Sequence, residues 1–248
     1  MFHFFSSEKQ LNSSLIFNFL TIMQKVQQLD PTLKVSVFDF ETLQGLTKAC
    51  SDMINGILFS QTRDWGKLQK DQKRCELVTK IVVDLIELLG KIGPQAVNLQ
   101  IDLGSRDHDA VDLVIQILTG ALKEIKANTP INLTIFANSY CLGGDLGEKD
   151  PIKLEACQQN FLNLMVASPL LTSLKLFAVM GVDTVKTLGL IQEKLAHSNL
   201  VNCEILFNNA GRMNMPQDVL DTQVELANTV SQRALQPQVF TTTPRLSN

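Results

Sequence analysis

The residues best suited to chemistry lie in and near a glycine-rich segment at positions 139–150. Cys141 and Asp145 belong to this segment, which follows a predicted strand. His108 lies in the loop that follows the preceding predicted strand. A cysteine nucleophile needs a base, usually histidine, which the fold must bring close to it. One hypothesis is therefore an enzyme with a site in the loops near His108, Cys141 and Asp145. A long surface loop explains the same segment without chemistry, and we prefer that interpretation.

A second chemical motif follows a predicted strand at residues 208–211. Its sequence, Asn-Asn-Ala-Gly, resembles a motif of short-chain dehydrogenases. Those enzymes also need a glycine-rich turn after their first strand, where backbone N–H groups bind the pyrophosphate of the cofactor. The first strong strand here leads into Phe38-Asp-Phe-Glu-Thr, which cannot form such a turn, and the only tyrosine, Tyr140, precedes the motif. We therefore interpret 208–211 as a structural turn and predict no cofactor.

The composition predicts a folded protein that does not bind nucleic acid in general. Hydrophobic residues make up 45% of the 248 residues and charged residues 19%, which excludes a disordered chain. The formal net charge of −3 offers no basic surface to neutralise phosphates. The five cysteines are odd in number and show no CxxC spacing, so neither a disulfide framework nor a zinc site is predicted. We interpret them as thiols of a cytoplasmic or otherwise reducing compartment.

The sequence also predicts neither a membrane span nor a secretory signal peptide. A membrane helix needs about 20 apolar residues. The most apolar-rich stretch, residues 81–92, contains Asp84 and Glu87. The start of the chain, from Met1 to Glu8, lacks the basic region that precedes the apolar core of a signal peptide.

Runs of alternating apolar and polar residues predict strands, and apolar stripes with helical spacing lie between them. The predicted strands are 97–102, 131–136, 172–177 and 201–206, with an earlier candidate at 33–38 and a weaker one at 56–60. The predicted helices are 7–28, 41–55, 67–92, 111–125, 152–166, 182–196 and 216–230. This order predicts an α/β fold of parallel strands joined by crossover helices. It divides the chain into a helix-rich N-terminal region (1–95), strand–helix repeats (96–231) and a C-terminal tail (232–248).

One face of this sheet is expected to be open to solvent. Strands that are covered by helices on both faces are almost wholly apolar. The strands here carry polar residues on their second face, namely Asn98, Gln100, Thr134, Lys175 and Glu204. We therefore expect helices on one side of the sheet only, which is what a curved strand–helix solenoid requires.

The predicted strands share a repeated frame. One position of this frame is held by Leu99, Leu133, Leu174 and Cys203, at intervals of 34, 41 and 29 residues. The frame resembles the L-x-x-L-x-L-x-x-N consensus of leucine-rich repeats in their ribonuclease-inhibitor-like form, with Asn138 and Asn208 at the asparagine position. The resemblance covers residues 96–230 and implies a leucine-rich-repeat-like arc with its helices on the outer side. Irregular repeats in this style are common in bacterial effector proteins, for which the compartment would be the host cytosol.

The predicted functional surface is the free face of the strands. In the repeat frame, neighbouring strands place side by side the predicted partner-binding residues Gln100, Asp102, Thr134, Phe136, Lys175, Phe177, Glu204 and Leu206. Two phenylalanines and a leucine in an exposed row are typical of a recognition surface. The leading hypothesis is a non-catalytic module that binds an unidentified protein. The same row is equally explained if the N-terminal segment or residues 236–248 cover it, and a third hypothesis makes it an oligomer interface.

Overall fold

Strands and helices alternate in the second half of the chain, after a series of helices in the first half. The structure, a computed structural model, describes residues 13–33, 42–93, 95–104, 106–126, 128–137, 140, 142, 150–179 and 184–207. For 177–179, 184–188 and 206–207 it describes the backbone alone. The helices are α1 (Ser13–Leu29), α2 (Leu43–Gln61), α3 (Trp65–Lys70), α4 (Gln72–Ile92), α5 (His108–Glu124), α6 (Pro151–Met165) and α7 (Thr184–Leu195). The strands are β1 (Val97–Asp102), β2 (Ile131–Phe136), β3 (Leu171–Val179) and β4 (Asn202–Phe207).

The four strands form one parallel sheet in the order β1-β2-β3-β4. Each strand lies beside the next strand of the chain, so crossovers of one hand place their helices on one face of the sheet. The packing agrees, because α4 contacts α5, α5 contacts α6, and α6 contacts α7. The predicted α/β fold with parallel strands is therefore confirmed. The curvature of a solenoid stays a prediction.

One hydrophobic core joins the sheet to the helices, and it extends from Phe19 in α1 to Ile205 in β4. In β1, Leu99 and Ile101 are 3% and 1% exposed, while the alternate residues of the strand face solvent. Burying such a side chain stabilises the fold by about 1.5–3 kcal/mol, so the alternation determines which face meets the helices. The core is continuous across residue 95, and the predicted domain boundaries stay predictions.

The prediction of a weak strand at 56–60 is wrong, because these residues lie in α2. Ile54, Ile57 and Leu58 are fully buried with helical spacing, and α2 packs against α4 and β1. A short apolar run fits a strand or a buried helix equally well by periodicity alone, and tertiary packing selects the helix here.

The predicted helix at 67–92 is interrupted at Asp71, which separates α3 from α4. The backbone of Asp71 is not helical, and its carboxylate accepts a hydrogen bond of 3.0 Å from the Arg74 N–H. This is the geometry of a helix N-cap, which satisfies a backbone donor that would otherwise lack a partner. The predicted helix at 216–230 and residues 34–38 of the predicted strand at 33–38 lie outside the described residues.

Candidate functional site

Two rows of residues cross the free face of the sheet in register. The first row consists of Gln100, Thr134, Lys175 and Glu204, and the second consists of Asp102, Phe136, Phe177 and Leu206. The repeat frame predicted this register, and the structure brings all of the predicted partner-binding positions together. Adjacent strands lie about 4.8 Å apart, so each row crosses the sheet without a gap. The role of these residues in binding stays a prediction.

The free face is accessible at the positions whose side chains are described. Gln100 and Asp102 are exposed, and Thr134 and Phe136 are half-buried. Phe136 is thus less exposed than the sequence predicted for an open recognition row. Lys175 and Glu204 are also half-buried, so each of the six described side chains of the two rows keeps some exposed surface.

Charge on the free face is mixed in sign. Lys175 and Glu204, on neighbouring strands, form an ion pair of 2.9 Å in which both side chains are partly exposed. Such a surface pair contributes only about 0–1 kcal/mol to stability, because water screens it. The Asp102 carboxylate instead accepts a hydrogen bond of 3.0 Å from the Gly104 N–H, and it makes no ion pair with any cation of the described residues. Asp102 is therefore available to a cationic group.

A short ladder of polar side chains lies at the opposite end of the same face. The Asn132 amide donates to the Asn98 Oδ1 at 2.8 Å, and the Thr172 hydroxyl lies 3.2 Å from the Asn132 Oδ1. These bonds link the first three strands through side chains. The two-residue alternation places Asn132 on this face, whereas Thr172 meets Asn132 at a shift in the register between β2 and β3, which the sequence pattern does not predict.

The outer edge of β1 is capped by a side chain of α2. The Asn55 amide donates to the Gln100 carbonyl oxygen at 2.7 Å and accepts from the Asp102 N–H at 3.0 Å. It thus satisfies two backbone groups that a further strand would otherwise have bound. Sequence reasoning missed Asn55, since the contacting residues are more than 40 positions apart in the chain.

The structure places His108 beside a cysteine that the sequence analysis did not select. The His108 Nε2 lies 3.0 Å from the Cys157 Sγ, and the imidazole stacks on the ring of Tyr140 with centroids 5.2 Å apart. Cys141 and Asp145, the other members of the predicted enzyme site, lie outside the described residues. The predicted grouping of the three is therefore untested, while a different histidine–cysteine contact joins α5 to α6.

Hydrogen bonds extend this contact into a cluster that we call the clasp, formed by His108, Asp112, Tyr140, Cys157 and Asn160. The Tyr140 hydroxyl lies 3.1 Å from the Cys157 carbonyl oxygen and 3.3 Å from the Asp112 carboxylate. The Asn160 amide donates to the same carboxylate at 2.8 Å. An ion pair between Lys153 and Asp109 joins α6 to α5 beside the clasp. The clasp therefore ties two helices to the segment that follows β2.

Burial keeps the histidine and the cysteine of the clasp neutral. It raises the pKa of the Cys157 thiol to about 12, with a further contribution from the nearby Asp112 carboxylate. It also lowers the pKa of His108, and the positive charge of Lys153 acts in the same direction. A cysteine nucleophile reacts as the thiolate, and Cys157 is only 2% exposed. The clasp thus has the properties of a structural contact and lacks those of an activated nucleophile.

A cleft of about 600 Å³ lies at the helical end of the molecule, where α1 and α2 end and α4 begins. Its buried amide, Gln61, accepts a hydrogen bond from the Arg74 Nε–H at 2.8 Å and donates to Asp30 at 3.3 Å. The hydroxyl of Thr32 also donates to Asp30, and this bond holds the pKa of Asp30 below its ordinary value. These polar groups bind one another, so we assign no ligand to the cleft.

Other features restrict the range of functions. Among the described residues, none of the helices combines the length and the apolar character that crossing a membrane requires. The same residues contain no group of three or more His, Cys, Asp or Glu side chains placed to hold a metal ion. Comparison of the chain with protein-family models, with curated proteins and with solved structures found no match.

Proposed function

We propose that the chain is a non-catalytic module that binds a partner protein through the free face of its strands. The separation of the two sheet faces supports this proposal most directly. One face is buried against helices. The other carries the first row, which begins at Gln100, and the second row, which begins at Asp102, both in register across the strands. A strand–helix repeat array of this kind commonly binds partners over an extended surface.

The chemistry of the free face fits a protein better than a nucleic acid. Its charged residues are Asp102, Lys175 and Glu204, of which two are acidic. A nucleic-acid site needs an excess of basic side chains to neutralise phosphates. A mixture of amide, hydroxyl, charged and aromatic groups is instead typical of protein interfaces.

The resemblance to irregular leucine-rich repeats supports the same proposal. The shared frame at Leu99, Leu133 and Leu174 implies repeats that expose the strand face for recognition. If the likeness to bacterial effectors holds, the partner is a host protein and the compartment is the host cytosol.

A matched pair of lysine substitutions tests the proposal. Thr134→Lys places a long, charged side chain in the centre of the free face, and Gln159→Lys makes the same change on the exposed side of α6. The full chain, as bait, is used to recover partners, which are then identified by quantitative mass spectrometry. We expect Thr134→Lys to lower recovery of a specific partner about tenfold, as for a central interface residue, and Gln159→Lys to change it less than about twofold.

Equal recovery by all three baits would contradict the proposal, provided that thermal unfolding shows the variants to be folded. The mass of the chain in solution tests a related outcome. If the wild type is a dimer and Thr134→Lys is a monomer, the partner is a second copy of the chain and the face is an oligomer interface.

A second candidate function is an enzyme with a site near His108, Cys141 and Asp145. The observation that raises this candidate is a histidine beside a thiol, because the His108 Nε2 lies 3.0 Å from the Cys157 Sγ, although burial raises the pKa of that thiol. Thiol alkylation at neutral pH, read residue by residue, tests it. We expect Cys157 in the folded protein to react on the order of a thousandfold more slowly than a free thiol, because its raised pKa leaves little thiolate. Fast alkylation of Cys141 or Cys157 would favour the enzyme.

A further inference from the structure

A groove of about 400 Å³ adjoins the free face where β1 ends, between this strand and α2. We call it the β1 notch. Its lining residues are Asn55, Gly56, Phe59, Asp102 and Gly104. The two glycines contribute no side chains, and Gly104 has a positive φ of 52°, a conformation that other residues rarely adopt. The side chains that line the notch are therefore the Asn55 amide, the Phe59 ring and the Asp102 carboxylate.

The walls are held in place before any partner binds. The Gly104 N–H binds the Asp102 carboxylate, and both polar ends of the Asn55 side chain bind the backbone of β1. The guanidinium of Arg106 lies 3.7 Å from the centroid of the Phe59 ring and also donates to the Phe59 carbonyl oxygen at 3.3 Å. A site with fixed walls loses little conformational entropy when it is filled, which favours binding.

Asp102 is the one charged residue that lines the notch, and the Arg106 guanidinium beside Phe59 is the nearest cation that the structure describes there. Asp102 is exposed and makes no ion pair with a described cation, whereas Glu204 on the same face is neutralised by Lys175. Phe59 keeps 47% of its surface exposed although Arg106 lies against the ring. An aromatic ring beside a carboxylate is the combination that binds guanidinium and ammonium groups, through cation–π attraction and charge-assisted hydrogen bonds.

A second aromatic residue, Phe136, lies next to Asp102 on the neighbouring strand. It is the register partner of Asp102 in β2, so Phe59, Asp102 and Phe136 follow one another across the end of the sheet. The notch is thus continuous with the second row of the free face. A partner that lies across the strands would present its side chains to both.

We infer that the β1 notch receives an arginine or lysine side chain of the partner protein. The cationic group contacts the Asp102 carboxylate and the open part of the Phe59 ring, and the rest of the partner lies on the free face. This inference rests on the proposed function and adds the chemistry of one partner residue. It also assigns a role to Phe59, which lies outside the predicted partner-binding set.

Short peptides test the notch without the partner. The probes are acetyl-Gly-Gly-Arg-Gly-Gly-amide and its counterparts with Gln or Glu at the central position. Each is titrated into the full ¹⁵N-labelled chain while amide chemical shifts are followed. We expect saturable shifts at Asp102 and Gly104 with the Arg peptide, and affinity about two- to fivefold weaker for the Gln peptide, as for an exposed ion pair.

Three substitutions separate the contributions to binding. Asp102→Asn should weaken binding of the Arg peptide about two- to fivefold, and Phe59→Ala should have a similar effect. Asp107→Asn removes the same charge at an exposed position outside the notch and should leave the affinity unchanged within error. Arg106→Gln should strengthen binding of the Arg peptide, because it removes a competing cation from the Phe59 ring. Well-dispersed amide spectra show that each variant is folded.

Two outcomes would overturn the inference. The first is equal affinity for the Arg and Gln peptides, or an affinity for the Arg peptide that Asp102→Asn does not change. The second is preferred binding of the Glu peptide that is lost in Arg106→Gln, which would make the notch an anion site. Neither outcome depends on the partner experiment. If the notch fails and Thr134→Lys still blocks capture, the inference is overturned and the proposed function stays intact. If the notch binds the Arg peptide but no partner is captured, the proposed function is refuted together with the partner's part in the inference, and only the affinity of the notch for a cationic side chain stands.

Discussion

The free face and the clasp both gather polar side chains from successive strand–helix units, but burial gives the two groups opposite properties. On the free face, Lys175 and Glu204 form their ion pair while more than a third of each side chain stays exposed. In the clasp, Tyr140 is fully buried and Cys157 nearly so, and their polar atoms bind one another. Buried polar groups must be satisfied within the fold, so they stabilise it, whereas accessible groups can exchange water for a partner. Function is therefore expected on the face and stability in the clasp.

The largest expected effect is the loss of Tyr140, which should destabilise the protein by about 3–5 kcal/mol when it is replaced by alanine. The ring is fully buried and stacks on His108, so its removal leaves a cavity and breaks the clasp. Urea unfolding gives the free energy of unfolding. Tyr140→Phe serves as the control that keeps the ring and removes only the hydroxyl, with an expected loss of about 1–2 kcal/mol. An effect of Tyr140→Ala below about 1 kcal/mol would remove the distinction between the clasp and the face.

Acidification should weaken the clasp through His108. Burial and the charge of Lys153 lower the pKa of His108 from its ordinary value of 6.5, although the carboxylates of Asp109 and Asp112 oppose them. The folded protein therefore binds this proton less readily than the unfolded chain does. The contribution of neutral His108 is fully present above pH 6.5 and is lost as the pH falls below that value.

The measurement compares urea unfolding near neutral pH with unfolding about one to two pH units lower. We expect the free energy of unfolding to fall less in His108→Asn than in the wild type. His197→Asn changes a histidine at an exposed position and should follow the wild-type curve. A steeper fall in His108→Asn than in the wild type would contradict the pKa direction.

The smallest expected effect concerns the ion pair on the free face. Lys175→Gln should change the free energy of unfolding by less than about 1 kcal/mol, because the pair is exposed to water. Moderate salt should reduce even this difference. A loss above about 2 kcal/mol would show that the face contributes to stability in the same way as the clasp, and would argue against a surface kept free for a partner.

The strands were predictable because each one has a buried face and an accessible face. The alternation at Leu99 and Ile101 places the apolar side chains inward, and a slip of one residue would bury the polar set instead. The apolar anchors therefore predicted both the strands and their register. The helix at 56–60 was missed because its three consecutive apolar residues, from Ile57 to Phe59, show no period, and only the packing of α2 against α4 selects the helix.

The candidate site was predictable to the extent that it follows from the strand pattern. The two rows of the free face follow from that pattern, because the alternation within each strand and the shared apolar anchors determine both of them. The contact between His108 and Cys157 joins residues 49 positions apart, and no local spacing encodes it. Phe59 was missed for a similar reason, since the notch that it lines forms only when α2 packs beside β1.

The Asn55 side chain affects how the edge of β1 can pair with another strand. An unpaired strand edge is a template for pairing with another chain, and proteins that fail to block such edges tend to aggregate. At β1 the amide of Asn55 occupies the Gln100 carbonyl and the Asp102 N–H, which are the groups that an incoming strand would use first. Among the described residues, the edge of β1 is thus blocked at these two groups, and a strand that joins the sheet at this end of β1 would have to displace the Asn55 amide.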